Sequence, residues 1–394
     1  MLSGAHYVAA VTIDDDDGAG RASEGRPFRF YDNRQKYLAF VTTCDEKWRV
    51  AERTARELEN LQPAPPALRV FDAGIGDGTV LAHLMRAMHE RFPTIPFYVA
   101  GKEISLEDVR LSLEKLPDRL VEHPQTVVAI SNLHYSEAPW LRPSTSAKRE
   151  QLTFEHVALS GTTSNGFSEQ LRNLDGFLVE HWQVRPSAET GNPLYVTPSV
   201  LVICRDDQRF ALHDVIPRPG DERADYDLVV ASQPWRSRMS ADFKAQRILA
   251  PLSRSLRTHG VLVGIQSKGG DPGMEIIHRI WPDENPFPVD RYELFDALHI
   301  ALGAEARHYD LMALPDDEST LRYSMHTLPT EIGNSIGTST LFAAWNAAIY
   351  VNQIGDARVE QAAVSGSYLD ATASVLQRHG GLWFFDETFL VRRH

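Results

Sequence analysis

A glycine-rich loop that opens with an acid is the stretch of this chain best suited to chemistry. Residues 72–78 read Asp-Ala-Gly-Ile-Gly-Asp-Gly. They follow residues 68–71, an apolar run typical of a buried strand, and precede a helical pattern over residues 79–91. Backbone N–H groups at a helix start favour a negatively charged ligand, and glycines let the backbone approach it closely. The loop therefore predicts a site for an anion or a cofactor.

Polar residues follow the next two predicted strands in the same way. Glu103 comes after a strand near residues 97–100, and Ser131-Asn132 comes after a strand at residues 126–130. In open α/β sheets, ligands bind outside the carboxyl ends of the strands. A carboxylate can accept one bond from each hydroxyl of a vicinal diol, and an Asn amide can both donate and accept. We expect these side chains to face the same ligand as the glycine loop.

The spacing of the loop resembles motif I of class I S-adenosyl-L-methionine (SAM) dependent methyltransferases. It reads D-x-G-x-G-x-G, whereas a dinucleotide fingerprint reads G-x-G-x-x-G. The resemblance covers residues 65–330, with an interruption. It implies a Rossmann-like fold and transfer of a methyl group from SAM by in-line displacement, without a metal or a covalent nucleophile.

The same resemblance implies roles for individual residues. Asp72 would face the ammonium group of the methionine moiety, Glu103 would accept both ribose hydroxyls, and Ser131 with Asn132 would hold the adenine. An N-terminal helix often covers SAM in this family. The other predicted cofactor contacts are Gly74, Gly76, Asp77 and Gly78 in the loop, and Tyr31 and Tyr37 before it.

A second motif follows the fourth predicted strand. Ser232-Gln233-Pro234-Trp235 resembles, at three of four positions, motif IV of the amino-methyltransferases, which is Asp, Asn or Ser, then Pro-Pro, then an aromatic residue. In that family the first side chain and a nearby carbonyl accept bonds from the target amine, and the ring packs on the substrate. Ser232, Gln233 and Trp235 are therefore predicted catalytic residues, with nitrogen as the acceptor atom. Gln233 replaces a proline, which puts the nitrogen assignment in doubt.

His134, just after the third strand, is a further catalytic candidate because a neutral imidazole can accept a proton near pH 7. Other functions stay open: methylation of oxygen, carbon or a nucleic-acid base, an NAD-dependent oxidoreductase, or a SAM-binding protein without catalysis. Net charge makes nucleic acid a disfavoured partner, since 40 basic against 53 acidic residues leave −13 and repel phosphate backbones on average. The expected substrate is a small molecule or a peptide, and a homodimer is left open.

Composition indicates an ordinary globular protein. The 394 residues are 43% hydrophobic and 24% charged, and no apolar stretch approaches the ~20 residues of a membrane span. The N-terminus lacks a signal-peptide pattern, and two cysteines support neither a disulfide framework nor a thiolate metal site. His spacings typical of metal sites on helices are also absent. We therefore predict a cytoplasmic protein without a membrane span or a metal centre.

Alternating strand and helix patterns predict the fold class α/β. We expect a doubly wound, mostly parallel, seven-stranded Rossmann-like sheet. An insertion would contain a β-hairpin formed by residues 199–204 and 209–216, and strands at 308–314 and 320–328 would pair at the sheet edge. The predicted units are an N-terminal segment and helical cap (1–62), the SAM-binding first half (63–139), the insertion (140–225), the second half (226–330) and a C-terminal α+β extension (331–394).

Overall fold

The computed structural model describes residues 34–187, 193–221, 223–327, 329–333 and 336–394. Of the predicted site residues, Tyr31 lies outside these ranges. The strands are β1 (Leu68–Asp72), β2 (Phe97–Lys102), β3 (Thr126–Ser131), β4 (Thr153–Leu159), β5 (Val184–Pro186), β6 (Pro193–Tyr195), β7 (Ser199–Arg205), β8 (Tyr226–Ser232), β9 (Leu256–Ser267), β10 (Tyr309–Met312), β11 (Thr320–Ser324) and β12 (Trp383–Arg393).

The α-helices lie between these strands and at both ends of the chain. They are α1 (Arg34–Thr43), α2 (Glu46–Ala55), α3 (Thr79–Arg91), α4 (Leu106–Glu122), α5 (Ser146–Glu150), α6 (Ser164–Arg172), α7 (Asp175–His181), α8 (Ala241–Lys244), α9 (Ala250–Arg254), α10 (Pro272–Ile280), α11 (Arg291–Leu302), α12 (Asp316–Ser319), α13 (Thr338–Val351), α14 (Asp356–Ser365) and α15 (Ser367–His379). A π-helical turn, Ala245–Leu249, joins α8 to α9. No helix within the described ranges is both long and apolar enough to cross a membrane.

The predicted doubly wound α/β fold is confirmed. Strands β3, β2, β1, β8 and β9 run parallel in that order at the centre of the sheet. The chain builds from β1 towards β3 and then returns to place β8 on the other side of β1. This reversal of strand order is a topological switch point, where sheets of this type bind ligands.

Both faces of the sheet are covered because alternate side chains of each strand are apolar. Val70 of β1 packs among side chains of α3 and α4, while Phe71 faces the opposite side with residues of β8 and α11. Met85 and Leu113 fill the first face at helical spacing, and Leu298 fills the second. A third apolar cluster joins α1, α10, α13 and α15 to the start of β12.

The edge strands differ from the sequence prediction. The segments at 308–314 and 320–328 form β10 and β11, but they do not pair with each other; each pairs antiparallel with β12. Strand β12 comes from the C-terminal segment and also pairs antiparallel with β9. Its apolar start, Trp383-Phe384-Phe385, indicates burial but contains no information about which strand it will pair with.

The insertion also differs from the prediction. Residues 199–205 form β7, but residues 209–216 form turns, so the predicted hairpin between them is wrong. Strand β7 instead pairs antiparallel with β3 and parallel with β4. These two insertion strands extend the seven-stranded arrangement, and with β11 the sheet has ten strands. An antiparallel pair does occur in the insertion, between β5 and β6.

Candidate functional site

A cleft opens at the switch point, where the loops after β1, β2 and β8 meet. It has about 960 Å³ of empty space, counting the part open to solvent. Residues of α1, α2 and α13 also line it, as does Tyr323 of β11. The switch-point geometry therefore brings separate parts of the chain to one cleft.

The three glycines of the loop have different surroundings. A Cβ added to Gly74 would meet no atom within 4 Å, and Gly74 lines the cleft. A Cβ on Gly76 would lie 2.9 Å from the hydroxyl of Tyr37. Gly78 has φ +79°, and its Cβ would lie 2.8 Å from the Cα of Ser112 in α4. Gly74 leaves room for a ligand, whereas Gly78 allows α3 and α4 to pack closely.

Asp72 shapes the loop from beneath. Its Oδ1 accepts the N–H of Gly74 at 3.0 Å, and the residue is only 3% exposed. It is not among the residues that line the cleft. Burial raises the pKa of Asp72 to about 6, opposed by the Gly74 hydrogen bond and by the charge of Lys47. The structure thus places Asp72 behind the loop and not directly against the space for a ligand.

Asp77 holds the start of α3. Its carboxylate accepts the N–H of Thr79 at 3.3 Å and forms an ion pair with Lys115 at 3.2 Å. Burial would raise the pKa of Asp77, but the Thr79 hydroxyl bond and Lys115 outweigh it and lower the pKa. The side chain stabilises the first turn of the helix, where a carboxylate is favoured.

Glu103 connects the end of β2 to the glycine loop and lines the cleft. Its Oε2 accepts the N–H of Gly76, and its Oε1 accepts the N–H of Ser105, both at 2.8 Å. Burial raises the pKa of Glu103, and the charge of Asp108 raises it further. Each carboxylate oxygen keeps a lone pair for another donor. The acid can therefore hold the loop and still accept hydrogen bonds from a ligand.

Ser131 and Asn132 lie at the end of β3 but do not line the cleft. The amide of Asn132 accepts the N–H of Ser199 at 2.8 Å and donates to the carbonyl of Thr197 at 2.9 Å. Both residues are almost fully buried. The Asn132 side chain therefore joins β3 to the insertion strand β7, and the structure does not bring it to the predicted ligand.

Tyr37 of α1 reaches over the glycine loop. Its hydroxyl accepts the N–H of Asp77 at 3.3 Å, and its ring lies 6.0 Å from that of Tyr350. Phe40, one turn later, packs 5.0 Å from Tyr350. All three rings line the cleft. The N-terminal helix therefore covers the loop, with its position fixed by aromatic packing on α13.

Ser232 and Gln233 also line the cleft, after β8, the strand that pairs with β1. Gln233 has φ +49°, a left-handed conformation uncommon for residues other than glycine. Its side-chain amide donates to Glu46 Oε1 at 3.0 Å and to both oxygens of Asp386 at 3.3 Å. An ionised carboxylate only accepts, so the nitrogen end of the amide faces these two groups and its carbonyl oxygen is turned away from them.

Trp235 and His134 are not brought to the cleft. Trp235 is 2% exposed, and its indole N–H donates to Gln266 at 3.3 Å. The ring of His134 lies 4.8 Å from that of Tyr195 in the insertion. Tyr135, the next residue, does line the cleft, and its hydroxyl donates to the carbonyl of Pro234 at 2.9 Å.

Sequence reasoning missed several lining residues. Glu46 and Lys47 begin α2 and form an ion pair at 3.2 Å. Lys102 ends β2, and a lysine closing an apolar strand is a signal that could have identified it. Tyr323 and Gln353 have no local signal, because their elements reach the cleft only through long-range packing. Among the described residues, no group of three His, Cys, Asp or Glu side chains is placed to hold a metal ion.

No protein-family model and no curated protein matches the chain. Among solved structures, it is similar to a putative sarcosine dimethylglycine methyltransferase from Galdieria sulphuraria, with 10% identity over 88% of this chain and 85% of the other, and a TM-score of 0.35. It is also similar to a geranyl diphosphate methyltransferase in complex with SAM (12% identity, 87% and 85% coverage, TM-score 0.32). A third is the 4+2 cyclase SpnF (13% identity, 98% and 87% coverage, TM-score 0.31). Identities and TM-scores this low give no information about activity.

Proposed function

We propose that the protein is a SAM-dependent methyltransferase that acts on a small-molecule or peptide acceptor. One observation carries the proposal: Glu103 and Gly74 face a single cleft at the ends of adjacent parallel strands, beside the switch point. A carboxylate that can accept from both hydroxyls of a diol, beside exposed glycine backbone, supports an adenosine-bearing ligand.

The residues present fit this cofactor. Gly74 leaves open the space that a side chain would fill, and Glu103 has lone pairs for the ribose hydroxyls. Asp72 contributes indirectly by holding Gly74 in position. When bound, SAM supplies an electrophilic methyl group on a sulfonium, and the protein contributes binding and alignment.

We further propose that the acceptor atom is nitrogen. Gln233 is held by Glu46 and Asp386 with its amide nitrogen turned towards them. Its carbonyl oxygen and the hydroxyl of Ser232 are then the groups that accept N–H bonds from an amine in the cleft. Alignment of the amine lone pair with the methyl group is the role assigned to these two residues. Trp235 and His134, which do not line the cleft, have no part in this proposal.

Calorimetric titration with SAM, S-adenosylhomocysteine and NAD tests the cofactor. We expect the first two to bind and to raise the unfolding temperature, since a ligand specific for the folded state stabilises it. Glu103→Ala should weaken binding by about tenfold or more, the scale of a lost charged hydrogen bond. Glu107→Ala is the control, because Glu107 lies on α4 paired with Arg110. Binding of NAD in place of SAM would contradict the proposal.

Transfer of a labelled methyl group from SAM to a pool of amines, alcohols and acids then tests the acceptor. Label in amine products supports nitrogen. Label exclusively in oxygen or carbon products would overturn the nitrogen assignment and leave the cofactor assignment intact.

A further inference from the structure

Building on the proposed methyl transfer, we infer that Lys102 forms a subsite for an anionic group, a carboxylate, on the methyl acceptor. Lys102 ends β2, is 2% exposed and lines the cleft. Within the described part of the chain, its Nζ makes no hydrogen bond and no ion pair. The amine instead lies over the ring of Tyr135, 4.7 Å from the centroid.

The ammonium of a largely buried lysine is poorly solvated, and a bound anion would offset the cost of that desolvation. Burial lowers the pKa of Lys102, while the charge of Glu103 opposes this effect. Glu103 nevertheless does not serve as its partner. The carboxylate of Glu103 is directed to the N–H groups of Gly76 and Ser105, and it acts on Lys102 through its charge, without a hydrogen bond between the two side chains.

The position of Lys102 assigns it to the acceptor side and not to the cofactor. It shares the sheet face of Ala100 and Tyr135, and Tyr135 is bonded to Pro234 in the loop after β8. Glu103 faces the glycine loop on the other side. A different cation, Lys47, lies near that loop, 5.9 Å from the ring centroid of Tyr37, and is the better placed of the two for the carboxylate of the cofactor.

Three probes of nearly equal shape test the subsite: phenylacetate, phenylacetamide and phenethylamine, which are anionic, neutral and cationic. Each is titrated into protein saturated with S-adenosylhomocysteine. We expect phenylacetate to bind about tenfold more tightly than phenylacetamide, the scale of a charge-assisted hydrogen bond. The preference for phenylacetate should fall as pH rises above neutrality, because the Lys102 ammonium loses its proton while the carboxylate of phenylacetate stays ionised.

Lys102→Met should abolish the preference for phenylacetate, and Lys102→Arg should retain part of it. Lys148→Met is the matched control, since Lys148 also lies over a tyrosine ring, that of Tyr195, at 4.8 Å, but outside the cleft. The affinity of Lys102→Met for S-adenosylhomocysteine should stay within about twofold of wild type. The wild-type probe series is decisive even if this variant does not fold.

Equal binding of phenylacetate and phenylacetamide, or preference for phenethylamine, would overturn the inference. So would a Lys102→Met variant that loses affinity for S-adenosylhomocysteine, because Lys102 would then hold the cofactor. Failure of wild-type protein to bind S-adenosylhomocysteine is a separate outcome that overturns the proposed function, and this inference with it.

Discussion

The side-chain amide of Gln233 donates to Glu46 Oε1 at 3.0 Å, and this bond ties the loop after β8 to the first turn of α2. Asp386 of β12 also accepts a hydrogen bond from this amide. Burial raises the pKa of Asp386 well above its usual range, and the charge of Glu46 raises it further. Contacts with α2 and with β12, two distant parts of the chain, thus fix the orientation of Gln233 in the cleft.

Gln233→Glu should reduce methyl transfer by about 100-fold, the scale seen when a positioned transition-state contact is removed. The new carboxylate would lose the amide donors and face the oxygens of Glu46 and Asp386. Affinity for S-adenosylhomocysteine should change little, because the Gln233 side chain is bonded to Glu46 and Asp386 and not to Glu103 or the glycine loop. Initial rates with labelled SAM measure the loss, with the exposed Gln183→Glu as control. Transfer within threefold of wild type would refute the role, given that scale.

Tyr37→Phe should weaken S-adenosylhomocysteine binding by about fivefold, the free energy of one neutral hydrogen bond. The substitution keeps the ring against Tyr350 and removes only the acceptor for the N–H of Asp77. Isothermal titration measures the change. Tyr368→Phe on α15, packed 5.0 Å from Trp345, gives the comparison for a hydroxyl lost elsewhere. Equal affinities in both variants would show that the hydroxyl does not order the loop.

Local sequence signals were sufficient to predict the strands and helices at the centre of the sheet. The apolar run of β1, the glycines and the 3.6-residue period of α3 are all read within 25 residues of one another, and the structure has β1 at Leu68–Asp72 and α3 at Thr79–Arg91. The partners of β12 and β7 could not be read this way. Pairing depends on which edges remain open after folding, and an apolar run does not specify them.

The difference between local and long-range signals also explains which site residues could be predicted. Glu103 and Gly74 could be located because each directly follows a strand of a parallel sheet, whose carboxyl ends share one edge. Asn132 also follows a strand, yet its amide is used by Thr197 and Ser199 of the insertion. The position of a residue after a strand shows that its side chain lies near the ligand-binding edge of the sheet. It does not show whether another segment of the chain already forms hydrogen bonds with that side chain.

Asp72→Asn should stabilise the ligand-free protein near neutral pH. The pKa of Asp72 is about 6 in the folded state against 3.8 ordinarily, so the folded protein holds the proton more tightly. Stability from this group is therefore greatest below pH 3.8 and is lost as pH rises through about 6. The full loss is about 3 kcal/mol for about two pH units.

Urea unfolding at about pH 7.5 and about pH 4 measures this difference. The Asn variant, which can still accept the Gly74 N–H, should be more stable than wild type at the higher pH and about equal at the lower. The exposed Asp296→Asn controls for net charge. A stability difference that is the same at both pH values would mean that the charge of Asp72 is compensated in the folded state.

Gly74→Ala and Gly78→Ala should separate ligand binding from folding. A methyl group at Gly74 meets no atom within 4 Å, so folding stability should change by less than about 1 kcal/mol, while the methyl fills space assigned to the cofactor. At Gly78, φ is +79° and the methyl would lie 2.8 Å from the backbone of Ser112, so we expect a loss of more than about 2 kcal/mol.

Thermal unfolding and titration with S-adenosylhomocysteine, both applied to the two variants, make the comparison. Gly74→Ala should unfold near the wild-type temperature but bind at least about tenfold more weakly, since a ligand atom and a methyl group cannot share one position. Gly78→Ala should unfold at a lower temperature. If Gly74→Ala binds as tightly as wild type, the ligand does not lie against this loop, and the cofactor assignment fails at the residue that carries it.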